Sequence, residues 1–190
     1  MRKRTLSWIT GGIIAALLIA YCLCLPGNLF KDTAYSTVVT DRNGELLGAR
    51  IASDGQWRFP PSDTVPQKFQ TALIEFEDRW FAFHHGVNPV AIVRAAVGNI
   101  RAGRVTSGGS TITMQVIRMS RGKDRTIGQK LIESILATRL EWRCDKKEIL
   151  AMYASHAPFG GNVVGLEAAS WRYFGRPPEE LTWGEAATLA

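Results

Sequence analysis

The sequence predicts a mainly α-helical domain carried behind one membrane-crossing helix and a small β-hairpin. Three observations carry that expectation: an uncharged run near the amino end, a short β-type segment with a turn signal, and helix caps recurring through the rest of the chain. The 190 residues are 46% hydrophobic and 21% charged, enough apolar material for one folded domain, which excludes a disordered or many-spanning protein. Three cysteines without a C-x-x-C pair exclude a disulfide scaffold and a zinc ribbon. The net charge is +6, and Arg2, Lys3 and Arg4 supply half of it. Elsewhere Lys and Arg are mixed with Asp and Glu, so no nucleic-acid partner is expected.

From Leu6 to Leu25 no side chain is charged. A helix of about 20 residues covers the ~30 Å hydrocarbon core of a bilayer. The basic cluster before it predicts residues 1–5 as a cytoplasmic tail, 6–25 as a transmembrane anchor and the remainder as an exported domain. A cleaved signal peptide is the competing reading. Ala20-Tyr21-Cys22 is a poor small-x-small site, and Tyr21 and Leu23 stand where lipidation of Cys22 or Cys24 needs a small residue, so the uncleaved anchor is preferred. Residues 26–61 form a linker and hairpin: Thr37 to Thr40 and Leu46 to Ile51 flank Asp41-Arg42-Asn43-Gly44, a turn with a glycine suited to positive φ.

Pro60 and Pro61 end the hairpin, and residues 62–190 read as helical. A helix from near Pro66 carries Phe69, Leu73 and Glu77 in one row, with Ala72, Phe76 and Trp80 beside it. Asn88-Pro89 caps and starts a helix through Ile100, and Gly103 suits its end. Ser110 is the expected cap of a helix to about Met119. Thr126 begins a long helix whose expected buried stripe is Ile127, Leu131, Ile132, Ile135, Leu136 and Leu140. Asp145 with Glu148, and Thr182 with Glu185, have capping-box spacing. The last helix runs only about two turns before Ala190 without a stop signal, so the chain is expected to be the amino-terminal part of a longer protein.

Three segments could carry chemistry. In Glu77 to Gly86, EDRWFAFHHG, a carboxylate flanked by Phe76, Trp80 and Phe81 is expected to be partly desolvated and so a better base near neutral pH. The bland alternative is a surface helix with a Glu75–Arg79 ion pair. In Gly108 to Gln115, GGSTITMQ, two glycines, a hydroxyl cap and a helix start present free N–H groups to a phosphate, with Arg118 one turn further on. No Walker lysine or G-x-G-x-x-G spacing supports a nucleotide. In Gln129 to Glu133, QKLIE, Lys130 and Glu133 either face an anionic substrate or form a solvated i, i+3 pair.

Together with Lys146 to Ser155, KKEILAMYAS, and Trp171 to Arg176, WRYFGR, these segments occur in an order that resembles glycosyltransferase family 51, the peptidoglycan glycosyltransferase domain of class A penicillin-binding proteins. The likeness runs from about Val38 to Ala190, and Ala157 to Asn162, APFGGN, looks most like the 1C branch. The resemblance implies a lysozyme-like fold and polymerisation of lipid II into glycan strands with inversion at MurNAc C1. It implies Glu77 as catalytic base and Glu133 as second essential carboxylate. Asp78 and Arg79 complete the first motif, and Ser110, Thr111, Gln115, Arg118 and Lys130 fall at substrate-contact positions. No metal ligands are assigned, and a divalent cation, Mg or Mn, is the one cofactor the resemblance leaves open. Implied partners are lipid II, the growing lipid-linked strand, the membrane and other cell-wall synthesis proteins, at a bacterial inner membrane with the domain in the periplasm. Met114, Gln129, Asn88 and the Ala154-Ser155 pair depart from the family pattern. A lysozyme-like muramidase and an inactive fragment that binds lipid II or partners are the alternatives.

Overall fold

The structure is a computed structural model that describes residues 2–190, with side chains from residue 8 onward apart from residue 9. Helix α1, Arg2–Leu23, leads to a hairpin of β1, Thr37–Thr40, and β2, Leu46–Arg50, paired antiparallel. At its turn Asp41 Oδ1 accepts the N–H groups of Asn43 and Glu45, and Gly44 takes φ +91. Strand β3, Trp57–Arg58, pairs in parallel with β4, Val163–Val164, a union of distant segments that no local pattern announces.

The domain is mainly helical, as expected: α2 Gln67–Glu77, α3 Pro89–Ala102, α4 Ile112–Arg121, α5 Ile127–Glu141, α6 Lys146–His156, α7 Leu166–Phe174 and α8 Trp183–Leu189. Asn88, Thr126, Asp145 and Thr182 cap α3, α5, α6 and α8, and the two capping boxes are formed. The cap of α4 differs from expectation. Thr111, not Ser110, accepts Met114 N, because its Oγ1 also donates to Gly86 O and is held in the interior.

Helix α4 is the spine of the fold, packed against α5 and α6, while α2 packs on α8. Phe69 and Leu73 of α2, Ile112, Met114, Val116 and Ile117 of α4, Leu140 of α5 and Ile149 of α6 are all fully buried. Each such side chain contributes about 1.5–3 kcal/mol by leaving water. Segment 78–88 crosses close over α5: a Cβ on Gly86, at φ +84, would lie 2.5 Å from the carbonyl carbon of Ala137.

The expected stripe of α5 is wrong in four places. Leu136 and Leu140 are buried, but Ile127 and Leu131 are 86% and 64% exposed, and Ile132 and Ile135 also face outward. The helix instead turns Glu133, Leu136, Ala137 and Leu140 inward, an i, i+3, i+4, i+7 row in which a carboxylate occupies the place an apolar count reserves for a hydrophobe. Val90, Val93, Val97 and Ile100 of α3 are likewise exposed.

Helix α1 is exposed on every side from Thr10 to Ala20. Among the described residues no helix is long and apolar enough to cross a membrane. Residues 6, 7 and 9 of the expected span have side chains outside the described set. The end of α1 docks on α5: Tyr21 OH lies 3.0 Å from Thr138 Oγ1, and Arg139 and Arg143 donate to the carbonyls of Cys22 and Pro26. The linker is then pinned to the end of α6. Phe30 stacks on His156 with ring centroids 3.5 Å apart, and Tyr35 donates its hydroxyl to His156 Nε2 while Nδ1–H donates to Met152 O. Burial lowers the His156 pKa. In the first turn of α7, burial and then the nearby Glu179 push the Glu167 carboxyl up to about 7.

Candidate active site

The site begins where α2 stops. Asp78 leaves helical geometry at φ −155, ψ 70 and turns its carboxylate inward. There it accepts from His84 Nε2 at 2.9 and 3.0 Å and from Ile112 N at 3.1 Å, the first amide of α4. The last helical residue, Glu77, is left half-buried opposite α4, where Gln115 Nε2 donates to its Oε2 at 2.5 Å. Gln115 Oε1 in turn accepts from Arg118 Nη2 at 3.2 Å.

Arg118 is influenced electrostatically by both carboxylates. Burial, then the like charge of Arg125, lowers its pKa, while Glu133, Tyr153 and Glu77 act on it in the opposite sense. A guanidinium keeps its proton through such a shift, so it is a fixed cation whose charge acts with those of Glu77 on α2 and Glu133 on α5. Glu133 is only 4% exposed, yet no hydrogen bond reaches it among the described residues. Tyr153 of α6 completes the group. Burial and then Glu77 push its hydroxyl up to about 12, so it enters the site as a neutral donor. The sequence reading missed Tyr153 and Arg125 as site residues; their only signals were their places in KKEILAMYAS and just ahead of QKLIE.

The remaining expected contacts divide by position. Thr111 and Asp78 are buried with their side-chain oxygens engaged by the protein. Arg79 points away from the site and pairs with Glu75 at 3.4 Å, both exposed. Ser110 is partly exposed at the end of the loop into α4, two residues before Ile112, and Lys130 is exposed one turn before Glu133 with no ion pair among the described residues. Phe76 and Trp80 do not enclose Glu77: both are exposed, and Phe81 alone of the three aromatics is buried. The environment of Glu77 is therefore polar, made by Gln115. Met114 is a core residue and Asn88 a helix cap, so both departures from the family pattern serve packing.

A family model described as transglycosylase matches residues 43–190, which include this whole constellation. The chain belongs to the transglycosylase family. The chain is 46% identical over 154 residues to penicillin-binding protein 1C of Escherichia coli, covering 80% of this chain and 20% of that protein. It is 42% identical over 188 residues to penicillin-binding protein 1A of Aquifex aeolicus, covering 94% and 26%. It is 32% identical over 193 residues to the biosynthetic peptidoglycan transglycosylase of Ralstonia nicotianae, covering 98% and 82%. The chain thus spans a fifth to a quarter of the length of those two penicillin-binding proteins. One S-x-x-K string, Ser120 to Lys123, occurs in the chain, but Ser120 Oγ donates to Ile117 O and Gly122 breaks the helix at φ +56 between the two residues.

Proposed function

We propose that the chain is a peptidoglycan glycosyltransferase that polymerises lipid II. The observation that supports this reading is the hydrogen-bonded run Glu77–Gln115–Arg118, with the charge of buried Glu133 on α5 and the neutral Tyr153 of α6 acting in the same electrostatic environment. The 4-hydroxyl of the acceptor GlcNAc attacks C1 of the donor MurNAc and its proton passes to Glu77. The new C–O bond forms as the bond from C1 to the lipid pyrophosphate breaks, with inversion at C1. Gln115 aims the Glu77 carboxylate. Arg118, Lys130 and the open N–H groups near Ser110 receive the charge that develops on the departing pyrophosphate. Asp78 and Thr111 hold the frame rather than the substrate.

A divalent cation, Mg or Mn, remains a proposal. Among the described residues no three acidic, histidine or cysteine side chains gather to hold one. Mg is commonly held by one or two carboxylates together with substrate phosphates, and Glu133, with no protein donor on it, fits that pattern. Such an ion would offset pyrophosphate charge.

Residues 6–25 serve this reading as a membrane anchor, with the amino end cytoplasmic and the domain periplasmic. A helix apolar on all sides and open on all sides from Thr10 to Ala20 suits lipid better than water. The exposed Val93, Ile100, Ile127 and Leu131 would face the bilayer surface, where both polyprenyl substrates reside. Tethering enzyme and substrates to one surface raises their encounter concentration. The test is incubation of the chain with labelled lipid II. Polymer from the unmodified chain and none from Glu77→Gln of equal thermal stability is the expected result. Cleavage of preformed glycan instead indicates a muramidase, and binding without turnover indicates a fragment that only holds lipid II.

A further inference from the structure

We propose that Thr113, Glu141 and Lys146 are positioning residues: a largely buried cluster that fixes the hydrogen bond between Gln115 and Glu77. The inference rests on Glu77 as the base and concerns what holds it. The Glu141 side chain, at the end of α5, is 3% exposed. It accepts from Thr113 Oγ1 at 2.5 Å and from Lys146 Nζ at 2.7 Å. Lys146 Nζ also donates to His84 O at 2.8 Å and lies 4.2 Å from the centroid of the Phe81 ring.

These contacts close a ring. From Glu77 the chain passes to Asp78, which holds His84; His84 O binds Lys146; Lys146 binds Glu141; Glu141 binds Thr113; and Thr113 lies two residues before Gln115 on α4, whose amide returns to Glu77. Both partners of the Gln115–Glu77 bond are thereby referred to one ion pair, whose Glu141 side chain is buried and whose Lys146 side chain is 29% exposed. A largely buried pair of this kind is a weak source of stability, since apolar side chains of the same volume are often as good or better. Its contacts are directional, and they run to the two segments whose separation sets the geometry of the base.

Removing Lys146 leaves the buried Glu141 charge unpaired and risks misfolding, so the test uses the neutral arm of the ring. Thr113→Val keeps the side-chain volume and removes the hydroxyl, and Thr113→Ser restores the hydroxyl. In lipid II polymerisation by the full chain in detergent, Thr113→Val is expected to lower kcat by about 10- to 100-fold with KM within about two-fold, as for a catalytic group moved by a fraction of an ångström. Thr113→Ser is expected to keep kcat within about three-fold. A Val variant with unchanged kcat overturns the proposal. So does a Ser variant as slow as Val, or a rate loss that only follows the folded fraction in a thermal melt. Crystal structures of the two variants read the same point without turnover. The Gln115–Glu77 bond lost in Val and kept in Ser supports the ring, and the bond kept in both refutes it. An unmodified chain that makes no polymer counts against the function alone and leaves the structures to decide the ring.

Discussion

Glu167 offers a stability experiment whose sign is fixed by its surroundings. Burial beside Glu179 raises its carboxyl from the ordinary 4.5 to about 7. A raised acid pKa means that the native state holds the proton more tightly than the unfolded chain does. Below pH 4.5 both states are protonated and the group is neutral in its effect. As pH rises from 4.5 to 7, ionisation in the unfolded state draws the equilibrium that way, and above 7 the full destabilisation is present. A shift of about 2.5 units corresponds to a ceiling of roughly 3.4 kcal/mol. The carboxyl is still partly open to water, whose screening reduces this to about 1–2 kcal/mol. Glu167→Gln keeps the shape and cannot ionise. At pH 8 it should stabilise the chain by about 1–2 kcal/mol and raise the melting midpoint by about 2–8 °C for a domain of this size. At pH 4.5 the two proteins should melt together. Circular dichroism melts of both proteins at the two pH values measure this, and the difference between them cancels the titration of every other group. An equal gain at both pH values, or a loss at pH 8, refutes the reasoning.

Two further substitutions separate the chemistry from its frame. Glu133→Gln should reduce polymerisation by about 10²-fold or more, since it removes one of two carboxylates whose charge acts on Arg118. Its melt should barely change, because no protein hydrogen bond to Glu133 is lost. A near-normal rate in the lipid II assay would remove Glu133 from the mechanism. Gly86→Ala should act through the fold: at φ +84 its Cβ would meet the Ala137 backbone at 2.5 Å, and no flexible side chain is there to yield. A cost of about 2–4 kcal/mol, seen as a melting midpoint lower by about 5 °C or more, is expected. An unchanged melt would show that α5 can retreat from the 78–88 segment.

Local signals predicted local outcomes well. The hairpin turn at Asp41 to Gly44, the caps at Asn88 and Thr126 and both capping boxes depend on residues within four positions of one another, and all form. Features set by distant partners were hidden. Thr111 caps α4 because Gly86, 25 residues earlier, takes its hydroxyl proton. Glu133 faces inward within the charge field of Arg118, which periodicity could not register, while Ile127 and Leu131 face outward. Motif order drew attention to Glu77, but its polar neighbour Gln115 replaced the aromatic cage that Phe76 and Trp80 suggested. The β3–β4 pairing joins segments about a hundred residues apart and has no local trace.

The guanidinium groups of Arg139 and Arg143 rest on the carbonyls of Cys22 and Pro26, at and just beyond the carboxyl end of α1. Terminal carbonyls of a helix are normally left to solvent and carry the negative end of its dipole. Here they are occupied by the helix that also bears Glu133. A stalk held in this way is tied to the domain at its root. The reach from the end of α1 to Glu77 and Glu133 is set like the arm of a crane, and changing that length requires remaking the joint with α5.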